Sequence, residues 1–129
     1  RADENGHIRT LLGRKCRFPM WEPKKFGVGK PMAHDAAHKE YGSAIKRAFT
    51  YKALNRLIQG SAADQTKQAM LDCYKEGLTP MLTVHDELCF NIDSPEQTAR
   101  IKEIMETGIP LKVPSKIDVD IKDDWGEIE

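Results

Sequence analysis

Long apolar runs are missing from this chain, and none approaches the roughly 18 residues that a membrane-spanning helix needs. The first residues, Arg1-Ala2-Asp3-Glu4-Asn5, hold no apolar signal core, which argues against export. Cysteine is scarce. Cys16, Cys73 and Cys89 make an odd number without Cys-x-x-Cys spacing, so neither a disulfide framework nor a zinc site is indicated. Reduced thiols in packing roles, in a cytoplasmic setting, are the expectation. Repeats and low-complexity tracts are also lacking, which excludes solenoids and biased-composition linkers.

What is present fits one modest globular domain: 129 residues, 40% hydrophobic and 31% charged. The formal net charge of zero conceals an asymmetry. Residues 1–58 carry 13 Lys and Arg against 5 Asp and Glu, and residues 59–129 carry 7 against 15, leaving +8 and −8. A basic front half suits a phosphate backbone and acidic residues further on suit divalent cations, although solvated faces of mixed sign account for the pattern equally well.

Turn residues and periodicity divide the chain. Ile8–Leu12 and Cys16–Phe18 flank Gly13-Arg14 and predict a short hairpin, followed by a Pro/Gly/Lys-rich loop over 19–31. From about Met32 to Glu76 the pattern is helical, ended by Gly77 and Pro80. Tyr51, Asn55 and Gln59 fall on one helical face, and Leu54, Ile58, Ala62, Ala69 and Cys73 supply apolar contacts on another. Ser94-Pro95-Glu96-Gln97 opens a helix reaching about Thr107, and Ile117-Asp118-Val119-Asp120-Ile121 alternates as a half-buried strand. The fold class expected is α+β, a small antiparallel sheet backed by helices.

One segment breaks its own rhythm. In Met81–Ile92, Leu82, Val84, Leu88, Phe90 and Ile92 keep the period of a strand with one buried face, and Asp86 occupies the missing beat. An unpaired buried charge is too costly to keep. Either the chain turns at His85–Glu87 and lifts Asp86 to a hairpin tip, or Asp86 meets a cation.

Four blocks then recur in order: Gly6-His7-Ile8-Arg9-Thr10 with Gly13-Arg14-Lys15 and Pro19; Asn55 with Gln59-Gly60-Ser61-Ala62-Ala63-Asp64; Val84-His85-Asp86-Glu87; and Pro110-Leu111-Lys112-Val113-Pro114 with Asp124-Trp125. Together they resemble the DNA polymerase I type, family A, of template-dependent DNA polymerases, with wording closest to phage members. The resemblance implies the C-terminal part of a polymerase palm. Residues 1–40 would end the fingers subdomain, and 41–129 would form the C-terminal part of the palm. It implies nucleotidyl transfer from a dNTP to a primer 3′ hydroxyl by a two-metal mechanism. Asp86 is then an essential metal ligand with Glu87 as an auxiliary carboxylate, and the cofactor is a pair of Mg2+ ions shared with an aspartate outside this chain. Asn55, Gln59 and His85 correspond to residues that touch the minor-groove edges of base pairs near the primer terminus. The partners implied are primer–template DNA, dNTP and the N-terminal part of the polymerase. Gly60, Ser61, Ala62 and Ala63 are assigned helix packing and no chemistry.

Departures from the family pattern are specific. Many members have an arginine four residues before the asparagine, and this chain has Tyr51 followed by Lys52. The end Trp125-Gly126-Glu127-Ile128-Glu129 lacks a histidine-bearing tail. The family's other metal aspartate and its nucleotide-gripping fingers helix belong upstream of Arg1, so the chain alone is expected to be inactive. Two other classes compete: a non-catalytic nucleic-acid-binding or assembly module, and a zinc-dependent hydrolase using His34 and His38 at i and i+4 with Asp35 between.

Overall fold

The computed structural model describes residues 2–25 and 27–124, and the closing Trp125–Glu129 lies outside them. The chain divides into two units, Arg1–Asp64 and Gln65–Glu129.

In the first unit a short helix, α1 (Ala2–Asn5), leads into the strands β1 (His7–Arg9) and β2 (Lys15–Arg17). They pair antiparallel with Ile8 opposite Cys16, and Gly13 (φ 83°) supplies the left-handed backbone that closes the connection. A second sheet joins β3 (Met20–Pro23), β4 (Met32–Ala33) and β5 (Ile45–Arg47), all antiparallel with β3 central. The helix α2 (His34–Tyr41) contacts all three strands and buries Ala37. Phe18, Pro23, Ile45 and Ala48 are also buried here.

This sheet corrects two expectations. The segment 19–31 is not wholly loop, because Met20–Pro23 pairs on both sides, and the stretch from Met32 to Glu76 is not wholly helical, because Met32–Ala33 and Ile45–Arg47 are its partners. Each strand is only two to four residues long. Such lengths carry too few positions for a period to register, and pairing with distant segments overrides local preference.

A 3-10 turn at Thr50–Lys52 feeds the long helix α3 (Ala53–Lys75), whose first half belongs to the first unit. Leu54, Ile58 and Ala62 do not pack inward as expected: Leu54 and Ile58 are 68% and 57% exposed, and Ala62 is exposed as well. In the second unit Ala69 and Cys73 are buried as expected. The helix ends where Gly77 takes φ 78° and the Leu78 amide donates back to the Cys73 carbonyl.

The strands β6 (Leu82–Val84) and β7 (Glu87–Cys89) form an antiparallel hairpin, and α4 (Pro95–Thr107) follows. Pro95 pre-sets the first turn of α4, and the Gln97 side chain accepts the Asp93 amide at 2.7 Å. Ile101 and Ile104 meet Cys73 in the core of this unit, with Leu78, Phe90, Ile92 and Met105 packed around them. The architecture is thus mixed α and β, with small antiparallel sheets and several helices.

One expected strand is absent. Ile117–Ile121 forms no ladder with any described residue, and Val119 and Ile121 stay exposed. Alternation marks a segment able to face a core on one side, but a strand exists only where a partner supplies hydrogen bonds.

Candidate functional site

Asp86 lies at the tip of the β6–β7 hairpin. Val84 pairs with Glu87, which leaves His85 and Asp86 as a two-residue loop. Such loops require left-handed backbone, and His85 provides it with φ 55°, a region that histidine enters more readily than most side chains. His85, Asp86 and Glu87 are all exposed. The carboxylate in the apolar row is therefore relieved by a turn, the first of the two alternatives posed above. The row itself splits: Leu82 and Val84 on β6 are exposed, whereas Leu88, Phe90 and Ile92 are half-buried.

Two adjacent carboxylates on a paired hairpin are hard oxygen donors of the kind magnesium takes. Among the described residues no group of three or more His, Cys, Asp or Glu side chains gathers where one ion could be held. His34 and His38 stack with ring centroids 6.2 Å apart, and His34 Nδ1 lies 3.1 Å from Asp35 Oδ1, again without a third ligand among the described residues.

Asn55 and Gln59 stand one turn apart on the first half of α3, and both are exposed. Tyr51, one turn earlier, is also solvent-facing. The opposite face of that helix is gripped by the β1–β2 connection. Arg14 Nε donates to Asp64 Oδ1 at 2.8 Å, Arg14 Nη2 donates to the Gly60 carbonyl at 2.8 Å, and the Leu11 amide donates to Ser61 Oγ at 3.1 Å. Thr10 and Asp64 are 5% and 4% exposed.

Burial pushes the Asp64 carboxyl up, but hydrogen bonds from Thr10 and Arg14, the Arg14 charge and the Leu12 backbone outweigh it and hold the group below its ordinary value. A Cβ on Gly60 would stand 2.8 Å from Thr10 Cγ2, so glycine is what lets the loop approach this closely. Sequence reasoning passed over Asp64 and Arg14. The available signal was the pair Gly60 and Asp64, a small and an acidic residue one turn apart on a helix, with an arginine in the hairpin turn upstream.

The fold thus presents two carboxylates at a hairpin tip and two amides on one helix face. The sequence matches the family model described as DNA polymerase family A over residues 1–127, and the chain belongs to that family. A DNA-directed DNA polymerase of Pseudomonas phage M6 is 40% identical over 126 residues, covering 98% of this chain and 16% of that protein. The thermostable DNA polymerase I of Thermus aquaticus is 32% identical over 93% of the chain, and the DNA polymerase I of Mycobacterium leprae 32% over 97%, each match spanning 13% of the relative. The chain thus spans about a seventh of the length of these relatives. No helix among the described residues is long and apolar enough to cross a membrane.

Proposed function

We propose that this chain is the C-terminal part of a template-dependent DNA polymerase that joins a dNTP to a primer 3′ hydroxyl. The observation that carries the reading is Asp86 exposed at a hairpin tip without a hydrogen-bond or ion-pair partner among the described residues, within a chain matched to family A over residues 1–127. Asp86 and Glu87 would hold magnesium together with ligands from a further polypeptide segment. When bound, a pair of such ions would activate the hydroxyl and neutralise charge on the phosphate. The β6–β7 ladder gives both carboxylates a paired base, so their positions are set before substrate arrives.

Asn55, Gln59 and His85 would meet the minor-groove edges of base pairs. That groove offers acceptors at similar places for every pair, so uncharged donors test pair geometry without reading sequence. The basic charge of residues 1–58 supports the duplex backbone as partner.

Asp86 and Glu87 alone cannot arrange two ions. The purified 129-residue chain is therefore expected to extend no primer, and to support magnesium-dependent, chelator-sensitive extension once mixed with a polypeptide carrying the other palm aspartate and the fingers. Extension by the chain alone through a clean purification would overturn the placement of the site. Reconstitution that binds DNA but never incorporates nucleotide would favour the non-catalytic module.

A further inference from the structure

We infer that Arg14 is a positioning residue: through Gly60 and Asp64 it sets the turn of α3 that presents Gln59 to DNA. This rests on the reading of Gln59 as a duplex contact given above.

Residues 60, 61 and 64 lie on the side of the helix opposite Asn55 and Gln59, by the 3.6-residue period. All three are held from one short loop, by Arg14 on Gly60 and Asp64 and by the Leu11 amide on Ser61. The loop is itself closed: the Arg14 amide donates to Thr10 Oγ1 at 3.1 Å, and the Thr10 amide donates to the Arg14 carbonyl at 2.9 Å. A guanidinium is a planar fork, so bonds from two of its nitrogens fix direction as well as distance. One arm ends on the carbonyl of Gly60, the residue immediately after Gln59. A shift of Arg14 thus moves the helix turn that begins right after Gln59, and misplacement by about 1 Å can cost on the order of 100-fold in rate.

Surface docking alone would not need this arrangement. The side chain of Arg14 is half exposed, yet it terminates on a nearly buried carboxylate and a helix carbonyl rather than in solvent.

The test is a double-mutant cycle in the polymerase reconstituted with this chain. Gln59→Ala and Arg14→Ala are each expected to lower the rate constant for primer extension about tenfold with KM for dNTP within about twofold. In the Gln59→Ala background Arg14→Ala should add little, because it acts through the side chain already removed. Asp64→Asn keeps the shape of the site and should repeat that non-additivity if Arg14→Ala folds poorly. Arg14→Lys, which keeps the charge without the fork, should restore less than half of the lost rate. Full multiplication of the Arg14 and Gln59 effects overturns the positioning role while leaving Gln59 as a DNA contact. Unchanged extension by Gln59→Ala removes the DNA-reading assignment, and this inference with it.

Discussion

Asp64 and Asp86 are the same residue type in opposite surroundings. Asp64 is nearly buried and accepts a hydrogen bond from Arg14, whereas Asp86 stands exposed at a two-residue turn. Both belong to blocks that carry the family resemblance, and the sequence singled out only Asp86, which interrupts an apolar row. Their environments separate them. A carboxylate already engaged by a guanidinium holds the fold, whereas one exposed without a partner among the described residues leaves its oxygens open to solvent or a ligand. The contrast also explains where charge is tolerated: burial near Thr10 is offset by Arg14, and Asp86 avoids burial by interrupting a strand.

The largest effect expected falls on Asp86. Asp86→Ala should reduce nucleotide incorporation by the reconstituted polymerase by at least about 100-fold, since an unneutralised phosphate charge costs several kcal/mol in the transition state. DNA affinity and thermal unfolding should stay close to wild type, because an exposed turn residue contributes little to either. Glu87→Ala should be milder. Single-turnover primer extension measures both, and more than a tenth of the wild-type rate remaining in Asp86→Ala would erase the distinction drawn between the two aspartates.

Asp64 should behave in the reverse manner as a stability determinant. Asp64→Asn is expected to cost about 1–2 kcal/mol of unfolding free energy at pH 7, the range for a hydrogen bond to a charged group discounted for a partner half open to water. The pH dependence has a definite sign. The folded carboxyl titrates below its unfolded value of 3.8, so its contribution is complete above that pH and vanishes as pH falls through the folded value. Denaturant titrations from pH 7 to pH 3 should show the wild-type advantage shrinking only at the acid end. A gap that widened on acidification would mean that the carboxyl is raised rather than lowered.

How much of this was legible depends on the length over which a pattern is written. The β6–β7 hairpin was readable because five apolar residues keep one period and Asp86 breaks it, and α4 because Ser94-Pro95 marks its start and the helix spans 13 residues. The β3–β5 pairing was not readable. Trp21, Glu22 and Pro23 sit in a Pro- and Lys-rich stretch, and their partners Arg47, Lys46 and Ile45 follow Gly42-Ser43 with no alternation to mark them. Ile117–Ile121 was over-read, since alternation states a capacity and the ladder needs a second strand. Leu54 and Ile58 show the same limit, because helical periodicity identifies an apolar face without saying what covers it. Asp64 was hidden because its partner Arg14 is 50 residues away, and a lone acid on a helix otherwise indicates a solvated face.

The smallest stability effect, and the finest test of the contrast, lies at His85. Its φ of 55° is a conformation that glycine adopts freely and other residues only at a cost of about 1 kcal/mol. His85→Gly relieves that cost but gives the unfolded chain more freedom, and the two changes oppose one another. Net stability should move by no more than about 0.5 kcal/mol. If the imidazole contacts the duplex, His85→Gly should still slow extension several-fold and change the ratio of matched to mismatched primer extension, because backbone contacts supply most of the affinity and the side chain supplies geometry. His85→Ala separates the two contributions, since it loses the ring and keeps the strain. Equal extension by His85→Gly and wild type on both primers would mean that histidine serves only the turn, leaving Asp86 and Glu87 as the hairpin's sole contribution to the site.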